Sequence, residues 1–272
     1  MQFQTPTMSN LMRAAVIAVK ARSQLLILLT ALAGILSSIV YAPAAEVLNE
    51  LLLASEEASE TGQGQTAVAE IFQNGATTLL LGHLAVTAIS AFLLVPWARA
   101  SAPGGLIPSD GGAGAFWVRG LRSFLHLVAA SGLTMLIILF AFPIVTVIAG
   151  ALGGLGSAVM LAAVFFIIWA AIALTATAHL AIAAEARDRR ETIWSAFVRA
   201  RLFMAPIAGS LALLLFLMMI ANLITGGIIT GILPTSVQMT VSSIMSGALL
   251  YLVSALHVAA LYIVPDFRDL RA

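Results

Sequence analysis

The chain contains no cysteine and very little charge. Only 9% of its 272 residues are Asp, Glu, Lys or Arg, whereas about a quarter of the residues are charged in an ordinary soluble domain. The absence of cysteine excludes disulfide bonds, thiolate metal ligands and cysteine nucleophiles. It leaves the redox compartment open, because a chain without cysteine is compatible with oxidising and reducing surroundings alike.

The sequence also lacks the short motifs that identify common enzyme classes. It has no HExxH zinc motif, no phosphate-binding P-loop and no GxSxG nucleophile elbow. Glu56 and Glu57 are adjacent, but no cation or histidine accompanies them in their segment, so a solvated acidic surface is the better interpretation. We therefore expect a protein that is not an enzyme and that takes no metal, no cofactor and no nucleic acid.

Apolar residues dominate what is present. The chain is 61% hydrophobic and its mean hydropathy is +1.06, so a soluble fold would lack the polar residues to cover its surface. A helix of about 20 residues crosses a bilayer core of about 30 Å, and six uncharged stretches are long enough. The fold class is therefore an all-α polytopic membrane protein. The six spans lie at about residues 23–43, 77–97, 124–148, 158–183, 202–224 and 237–264.

The region around the end of the first span has two interpretations. Small residues at 42–45 would suit signal-peptide cleavage, but the apolar and basic regions before them are longer than in a typical signal, so we expect an uncleaved helix. Residues 44–76 then form the one long loop, with six glutamates and no Lys or Arg. Helical spacing of apolar residues at 47–52 indicates a helix that continues out of the membrane, and the glycines at 62–64 should end it.

Basic residues are confined to one side of the predicted membrane. When the gaps between spans alternate sides, all thirteen Lys and Arg fall on the side of the two termini, and the acidic loop falls on the other. Lys and Arg near the ends of spans are retained in the cytoplasm, so we expect both termini to be cytoplasmic. Trp97, Trp117 and Trp194 lie near the same interface, as an aromatic belt would place them.

The second half of the chain has an internal similarity. A shift of 77 residues places Trp117 on Trp194, and a shift of 78 places His179 on His257. We predict one domain, residues 1–272, built from three parallel helical hairpins that each begin with a basic cytoplasmic lead-in helix. The alternative is coincidence, because any hydrophobic chain aligns many Leu, Ala and Gly with itself. The predicted hairpin units are residues 11–100, 116–184 and 193–264.

Few polar side chains lie inside the predicted spans. None of the four histidines is paired with another at a spacing of three or four, so no metal site is indicated within one helix. His179 and His257 lie at matching depths, and Asn222 is the one amide deep in a span. These three residues are candidates for a polar path. The favoured alternative is that neutral imidazoles hydrogen-bond between helices.

The densest basic segment lies between the fourth and fifth spans. Interleaved Arg and Trp at an inner membrane surface can bind anionic lipid headgroups, although the acidic Glu185, Asp188 and Glu191 offset part of this charge. The plain alternative is that the cations only hold the loop inside. The candidate headgroup-binding residues are Arg187, Arg189, Arg190, Trp194, Arg199 and Arg201.

Residues 184–211, which include Ile193-Trp194-Ser195-Ala196-Phe197, carry a loose family pattern. An aromatic and Ala-Phe-type stretch on the inner face precedes a hydrophobic hairpin. In this the chain resembles a broad bacterial and archaeal group of six-helix proteins, which includes the membrane domain of some glycerophosphoryl diester phosphodiesterases. The resemblance implies a multi-pass protein of the bacterial cytoplasmic (inner) membrane. It transfers no catalytic residue, because the chain has no phosphodiesterase domain.

Function is the least specified property of the sequence. The lack of catalytic groups and of charge within the spans favours a scaffold, lipid-associated or envelope-maintenance role. The expected partners are membrane lipids, with other membrane proteins or a second copy of the chain as further candidates. The alternative is a transporter or exporter of a hydrophobic or amphipathic substrate, because ion and polar-solute transporters usually place ionisable groups in their spans.

Overall fold

The computed structural model of the protein describes residues 6–61, 65–102 and 111–264. In these ranges the chain is helical almost throughout and contains no strand, which confirms the all-α prediction. Short 3₁₀ turns follow α3, α5 and α7. The helices are α1 (Met8–Thr61), α2 (Gln65–Ser101), α3 (Gly112–Ala151), α4 (Gly156–Glu185), α5 (Ile193–Ala200), α6 (Met204–Ile232) and α7 (Thr235–Ala260).

Six of these helices are long and apolar enough to cross a membrane, and α5 is the short exception. This confirms the predicted number of membrane-length helices. The helices extend beyond the predicted spans. At a rise of 1.5 Å per residue, the 40 residues of α3 measure about 60 Å, roughly twice a bilayer core. Part of the excess is the basic lead-in, which continues into the span without a break.

The acidic segment contains the helix predicted to continue out of the membrane, but it differs from the predicted loop beyond that helix. The helix α1 continues to Thr61, and α2 begins at Gln65, so residues 65–76 are helical and not loop. For α1 the reason is local: residues 46–61 contain neither Gly nor Pro and have apolar residues at helical spacing. The glycines predicted to end this helix, Gly62 and Gly64, lie outside the described residues.

The three basic lead-ins join their spans in different ways. In α1 the backbone leaves helical geometry at Arg22 (φ −140°, ψ 33°). Before α6 it does so at Phe203 (φ −124°, ψ 17°), which separates α5 from α6. Pro206 follows in the first turn of α6, where its missing N–H costs no helical bond. Because α3 shows no such break, the threefold repeat remains a prediction.

One end of the bundle, here called the basic end, contains most of the charged contacts. Hydrogen bonds there join the end of α2 at Arg99 and the beginning of α3 at Arg119 to the turn after α4 at Asp188. Arg187 of the same turn bonds the carbonyl of Tyr262, just beyond α7. The other end, here called the acidic end, contains the glutamates of α1 and α2.

The helices pack most closely in the half nearest the basic end. The buried residues of α4 there are continuous from Ala176 to Glu185, whereas its other half has Gly156 as its only buried residue. Alanine fills much of this core, because small side chains let membrane helices approach each other. In the other half, α3, α4 and α6 expose large apolar side chains, as lipid-facing helices do.

Candidate functional site

The two histidines predicted to share a depth meet in the core. His179 on α4 and His257 on α7 are both buried, and their Nδ1 atoms are 3.0 Å apart. The other ring nitrogen of His257, Nε2, lies 3.0 Å from the carbonyl oxygen of Ile207 on α6. The pair therefore joins three helices at one level of the bundle.

The geometry determines how this pair shares its hydrogens. A carbonyl only accepts, so His257 donates from Nε2 to Ile207. In a neutral ring the Nδ1 of His257 is then the acceptor, and the Nδ1–H of His179 donates to it. Two fully protonated rings would point N–H at N–H across this contact. The arrangement thus holds at most one extra proton without breaking.

The remaining polar candidates within the spans lie apart from this pair. Asn222 is half-buried on α6, fifteen residues beyond Ile207 and so about 22 Å farther along the helix axis. His126 on α3 has a buried Nε2 without a hydrogen-bond partner, and His83 on α2 is exposed. The structure therefore brings His179 and His257 together and leaves Asn222 outside the contact.

The six candidate headgroup residues divide into two sets. Arg187 stacks over the Tyr262 ring at 4.0 Å, and Arg199 is buried with its guanidinium 2.6 Å from Glu191. Both of these cations bind other side chains of the same protein. The other four side chains are exposed at the basic end, and Trp194 keeps 73% of its surface accessible. The exposed set is Arg189, Arg190, Trp194 and Arg201.

The short helix α5 presents part of this set on one face. A capping box between Thr192 and Ser195 fixes its beginning. Its buried residues, Ala196, Arg199 and Ala200, lie on one side. The side chains of Trp194, Phe197 and Arg201 recur every three or four residues on the exposed side, and the two rings stack with centroids 5.9 Å apart. An aromatic and basic exposed face is typical of helices that lie at a membrane surface.

Sequence reasoning missed an ionic cluster at the basic end. Asp188 accepts from Arg99 at 3.0 Å and from Arg119 at 2.8 Å, and Arg122 lies 3.2 Å from Glu185. Three helices, α2, α3 and α4, are joined in this way. In the sequence these arginines indicate only topology, and Glu185 and Asp188 only offset positive charge, because no spacing along the chain indicates which arginine reaches which carboxylate.

The turn after α4 places Asp188 between its two arginines. Its backbone is left-handed (φ +60°), a conformation that Asp tolerates better than most residues. Partial burial raises the pKa of Asp188, but hydrogen bonds and charge from Arg99 and Arg119 outweigh that effect and leave the pKa below its ordinary value. The carboxylate therefore stays ionised between two cations that are themselves almost fully buried.

Sequence reasoning also missed a cavity in the acidic half, here called the hydroxyl cavity. It has a volume of about 510 Å³ between α1, α2 and α7. Its signal in the sequence is the serine-rich beginning of α7, which hydropathy does not distinguish from the rest of the sixth span. Neither His179, His257 nor Asn222 lines it. Its polar lining residues are Ser37, Ser38, Tyr41, Asn49, His83, Ser242, Ser243 and Ser246.

Trp97 differs from its predicted position in an aromatic belt. It is fully buried, and its Nε1 donates to the carbonyl of Ala255 at 2.7 Å, so it ties α2 to α7 instead of facing lipid. Trp117 and Trp194 are exposed.

Comparisons with models of protein families, with characterised proteins and with solved structures give no match to this chain.

Proposed function

We propose that this protein is a non-enzymatic, lipid-associated protein of the bacterial cytoplasmic membrane, and that its basic end binds anionic lipid headgroups. The observation that supports this role is the exposed face of α5, where Trp194 stacks on Phe197, with the exposed Arg201 directly after the helix. Aromatic rings at headgroup depth and arginines that pair with phosphate are the usual means of such binding.

A second surface at the same end supports the proposal. A cavity of about 310 Å³ beside the beginning of α3 is lined by Arg119, Arg122 and Arg190 and by Glu185 and Asp188. Three cations and two carboxylates give a formal charge of 3 − 2 = +1. Trp117, the residue next to this lining, is exposed. The basic end thus offers an excess of positive charge flanked by exposed tryptophans.

Anionic lipid should stabilise the wild type through these arginines. Each arginine near an anionic surface contributes about 1 kcal/mol, and a lipid that binds the folded state raises its Tm. We would reconstitute the protein in nanodiscs of phosphatidylcholine with and without phosphatidylglycerol. The Arg190→Gln/Arg201→Gln variant should lose most of the Tm increase that phosphatidylglycerol gives. An unchanged increase would contradict the proposal.

The matched control is Arg13→Gln/Lys20→Gln, which removes the same charge from exposed positions of α1. It should keep most of the increase. An equal loss in both variants would show that general positive charge, and not the surface at α5, recruits the lipid. Added salt should weaken the effect in the wild type, because exposed charges are screened within about 10 Å at 0.1 M.

The orientation belongs to the same proposal and has its own test. Because the chain has no cysteine, single-cysteine variants can be labelled without background. With both termini cytoplasmic, Glu70→Cys should react in intact cells with a membrane-impermeant maleimide. Arg190→Cys should react only after permeabilisation. The reverse pattern would overturn the orientation and place the basic end outside.

The second candidate function is transport or export of an amphipathic substrate, and the hydroxyl cavity is the observation that favours it. Transport predicts that a variant with this cavity filled accumulates the substrate inside cells, whereas a static lipid-binding protein does not change its distribution. The resemblance to six-helix proteins supports the architecture of either role and adds no catalytic residue. Other membrane proteins and a second copy of the chain remain proposed partners.

A further inference from the structure

The hydroxyl cavity lies beside close contacts of α1 with both of its neighbours. With α7 the contact is at Gly34, where a Cβ would lie 2.6 Å from the carbonyl oxygen of Ile244. With α2 it is at Gly82, where a Cβ would lie 2.8 Å from that of Ala44. The cavity itself is bordered by residues 37–52 of α1 and 239–250 of α7.

The polar groups of the cavity have hydrogen bonds left to make. In the described part of the chain no partner bonds the side chains of Ser242, Ser243 and Ser246. By contrast, Ser254, farther along the same helix, donates to the carbonyl of Leu250 at 3.2 Å. Ser37 is also without a partner, although it is only 5% exposed. At membrane depth such hydroxyls can gain a hydrogen bond from a ligand hydroxyl that enters the cavity.

One imidazole at the cavity wall also has nitrogens without a hydrogen-bond partner in the described residues. His83 lines the cavity from the middle of α2, and within the described residues nothing hydrogen-bonds its imidazole. Lipid tails cannot satisfy an imidazole, which has both a donor and an acceptor in its neutral form. The cavity therefore combines hydroxyls and one imidazole that a ligand with its own hydroxyl groups can bond.

The absence of charged residues in the cavity lining argues against a charged ligand. No Asp, Glu, Lys or Arg lines the cavity. Glu46 and Glu50 are exposed on α1 but do not belong to the face, residues 45, 48, 49 and 52, that borders the cavity. A phosphate-bearing headgroup would enter without a counter-ion and would pass close to these glutamates. The head of the ligand should therefore be neutral.

The rest of the lining is suited to hydrocarbon. Leu48, Leu52, Val86, Met239 and Leu250 border the same space. A volume of about 510 Å³ lies within the range of cavities that bind a drug-sized molecule. It can hold the head and the first part of the chains of a lipid, while the remaining chain lies in the membrane beside α1 and α7.

We propose that the hydroxyl cavity binds one neutral, hydroxyl-bearing amphiphile of the diacylglycerol class. Its hydroxyl would bond the serines of α7 and the ring of His83, and its chains would follow the apolar lining toward the lipid. This site lies in the opposite half of the bundle from the headgroup surface at α5, so it stands without that proposed function.

The test uses the full chain in phosphatidylcholine nanodiscs with a diacylglycerol that carries a photoreactive diazirine in one chain. After irradiation, peptides from residues 37–52 and 239–250 should carry the label. Two probes with the same chains serve as comparisons: the phosphate-bearing phosphatidic acid and the triacylglycerol, whose third hydroxyl is capped. Each should label these peptides about tenfold less, since loss of one or two hydrogen bonds corresponds to that factor.

The Ser242→Ala/Ser243→Ala/Ser246→Ala variant removes three hydroxyls and keeps the shape of the cavity. It should reduce diacylglycerol labelling about tenfold. The control Ser254→Ala removes a hydroxyl that is already bonded within α7 and should label like the wild type. Size-exclusion elution and Tm verify that each variant is folded.

Three results would overturn the inference: equal labelling by all three probes, equal labelling of the lipid-facing residues of α6, or full labelling of the triple serine variant. The Arg190→Gln/Arg201→Gln variant should label normally. A failure of this inference is therefore distinguishable from a failure of the headgroup proposal.

Discussion

Near the basic end, polar side chains bond other parts of the protein, whereas in the acidic half several hydroxyls face a cavity. Asp188 joins Arg99 to Arg119, and His179 meets His257. In the other half, Ser242, Ser243 and Ser246 of α7 have no such partner in the described residues. Small exceptions exist near the basic end, where the hydroxyl of Ser123 is buried without a bond.

The difference shows where the bundle is held together. Lipid is as apolar as leucine, so burial of apolar side chains adds little to association of helices in a membrane, and close packing and hydrogen bonds dominate. Side-chain hydrogen bonds between helices are concentrated at the basic end. In the other half α3, α4 and α6 expose large apolar side chains, and the hydroxyl cavity lies between α1, α2 and α7.

Two tryptophans give the largest expected contrast. Trp97→Ala should lower the free energy of unfolding by about 3 kcal/mol, since it leaves a cavity and breaks the bond to Ala255. Trp169→Ala, on the lipid-exposed part of α4, should cost less than about 1 kcal/mol. Unfolding by SDS titration in mixed micelles measures both. Equal losses would remove the distinction between the two halves.

Asp188→Asn tests the ionic cluster with a residue that still tolerates the left-handed turn. Breaking a buried ion pair costs about 3–5 kcal/mol. The Asp188 side chain is 55% exposed, so water compensates part of the loss and we expect about 2 kcal/mol. The control Glu70→Gln, at the acidic end, should change the same unfolding free energy by less than about 0.5 kcal/mol.

The same variant should alter the dependence of stability on pH. The pKa of Asp188 is lower in the folded protein than its ordinary value of 3.8. Its contribution is therefore complete above the unfolded pKa and is lost as the pH falls through the folded pKa. Between pH 5 and the acid limit, wild-type stability should fall more steeply than that of Asp188→Asn. Parallel curves would show that Asp188 does not take part.

Replacing glycine by alanine should change the unfolding free energy in opposite directions at a helix contact and at an open position. Gly34→Ala places a methyl 2.6 Å from the Ile244 carbonyl oxygen and should lower the unfolding free energy by about 1–2 kcal/mol, as overpacking does. A Cβ at Gly132 on α3 would meet nothing within 4 Å. Gly132→Ala should be neutral or stabilising by about 0.5 kcal/mol through helix propensity. A loss at both positions would contradict the assigned α1–α7 contact.

The helices could be predicted from the sequence because each signal is local. Six uncharged stretches of membrane length determine six helices, and basic residues between them collect at one end. The extension of α1 beyond its span was indicated by the helical spacing of apolar residues at 47–52. The kink at Arg22 and the unbroken α3 could not be predicted, since they depend on how each lead-in packs against its neighbours.

The site was predictable only where a single spacing determined it. A separation of 78 residues placed His179 and His257 at one depth, and the structure shows that they touch. The partners of Asp188 come from α2 and α3 and lie 89 and 69 residues away, so no pattern along the chain specifies them. The hydroxyl cavity depends on how α1, α2 and α7 pack against one another in three dimensions. Serines such as Ser243 are common in spans, and their sequence alone does not show whether they remain unbonded.

The smallest effect we predict is the coupling free energy between His179 and His257. It measures the contact between the two rings apart from the packing around each ring. Each single change to Ala also removes packing, so neither alone measures the contact. A double-mutant cycle subtracts those losses, and hydrogen bonds between membrane helices couple by about 0.6–1.7 kcal/mol. His83→Ala with His257→Ala is the control cycle, because His83 lies in the acidic half and should add to His257 within about 0.5 kcal/mol. Coupling of the same size in both cycles would mean that His→Ala changes disturb the whole bundle. Coupling near zero in the His179–His257 cycle would mean that the imidazoles touch without stabilising the contact between α4 and α7.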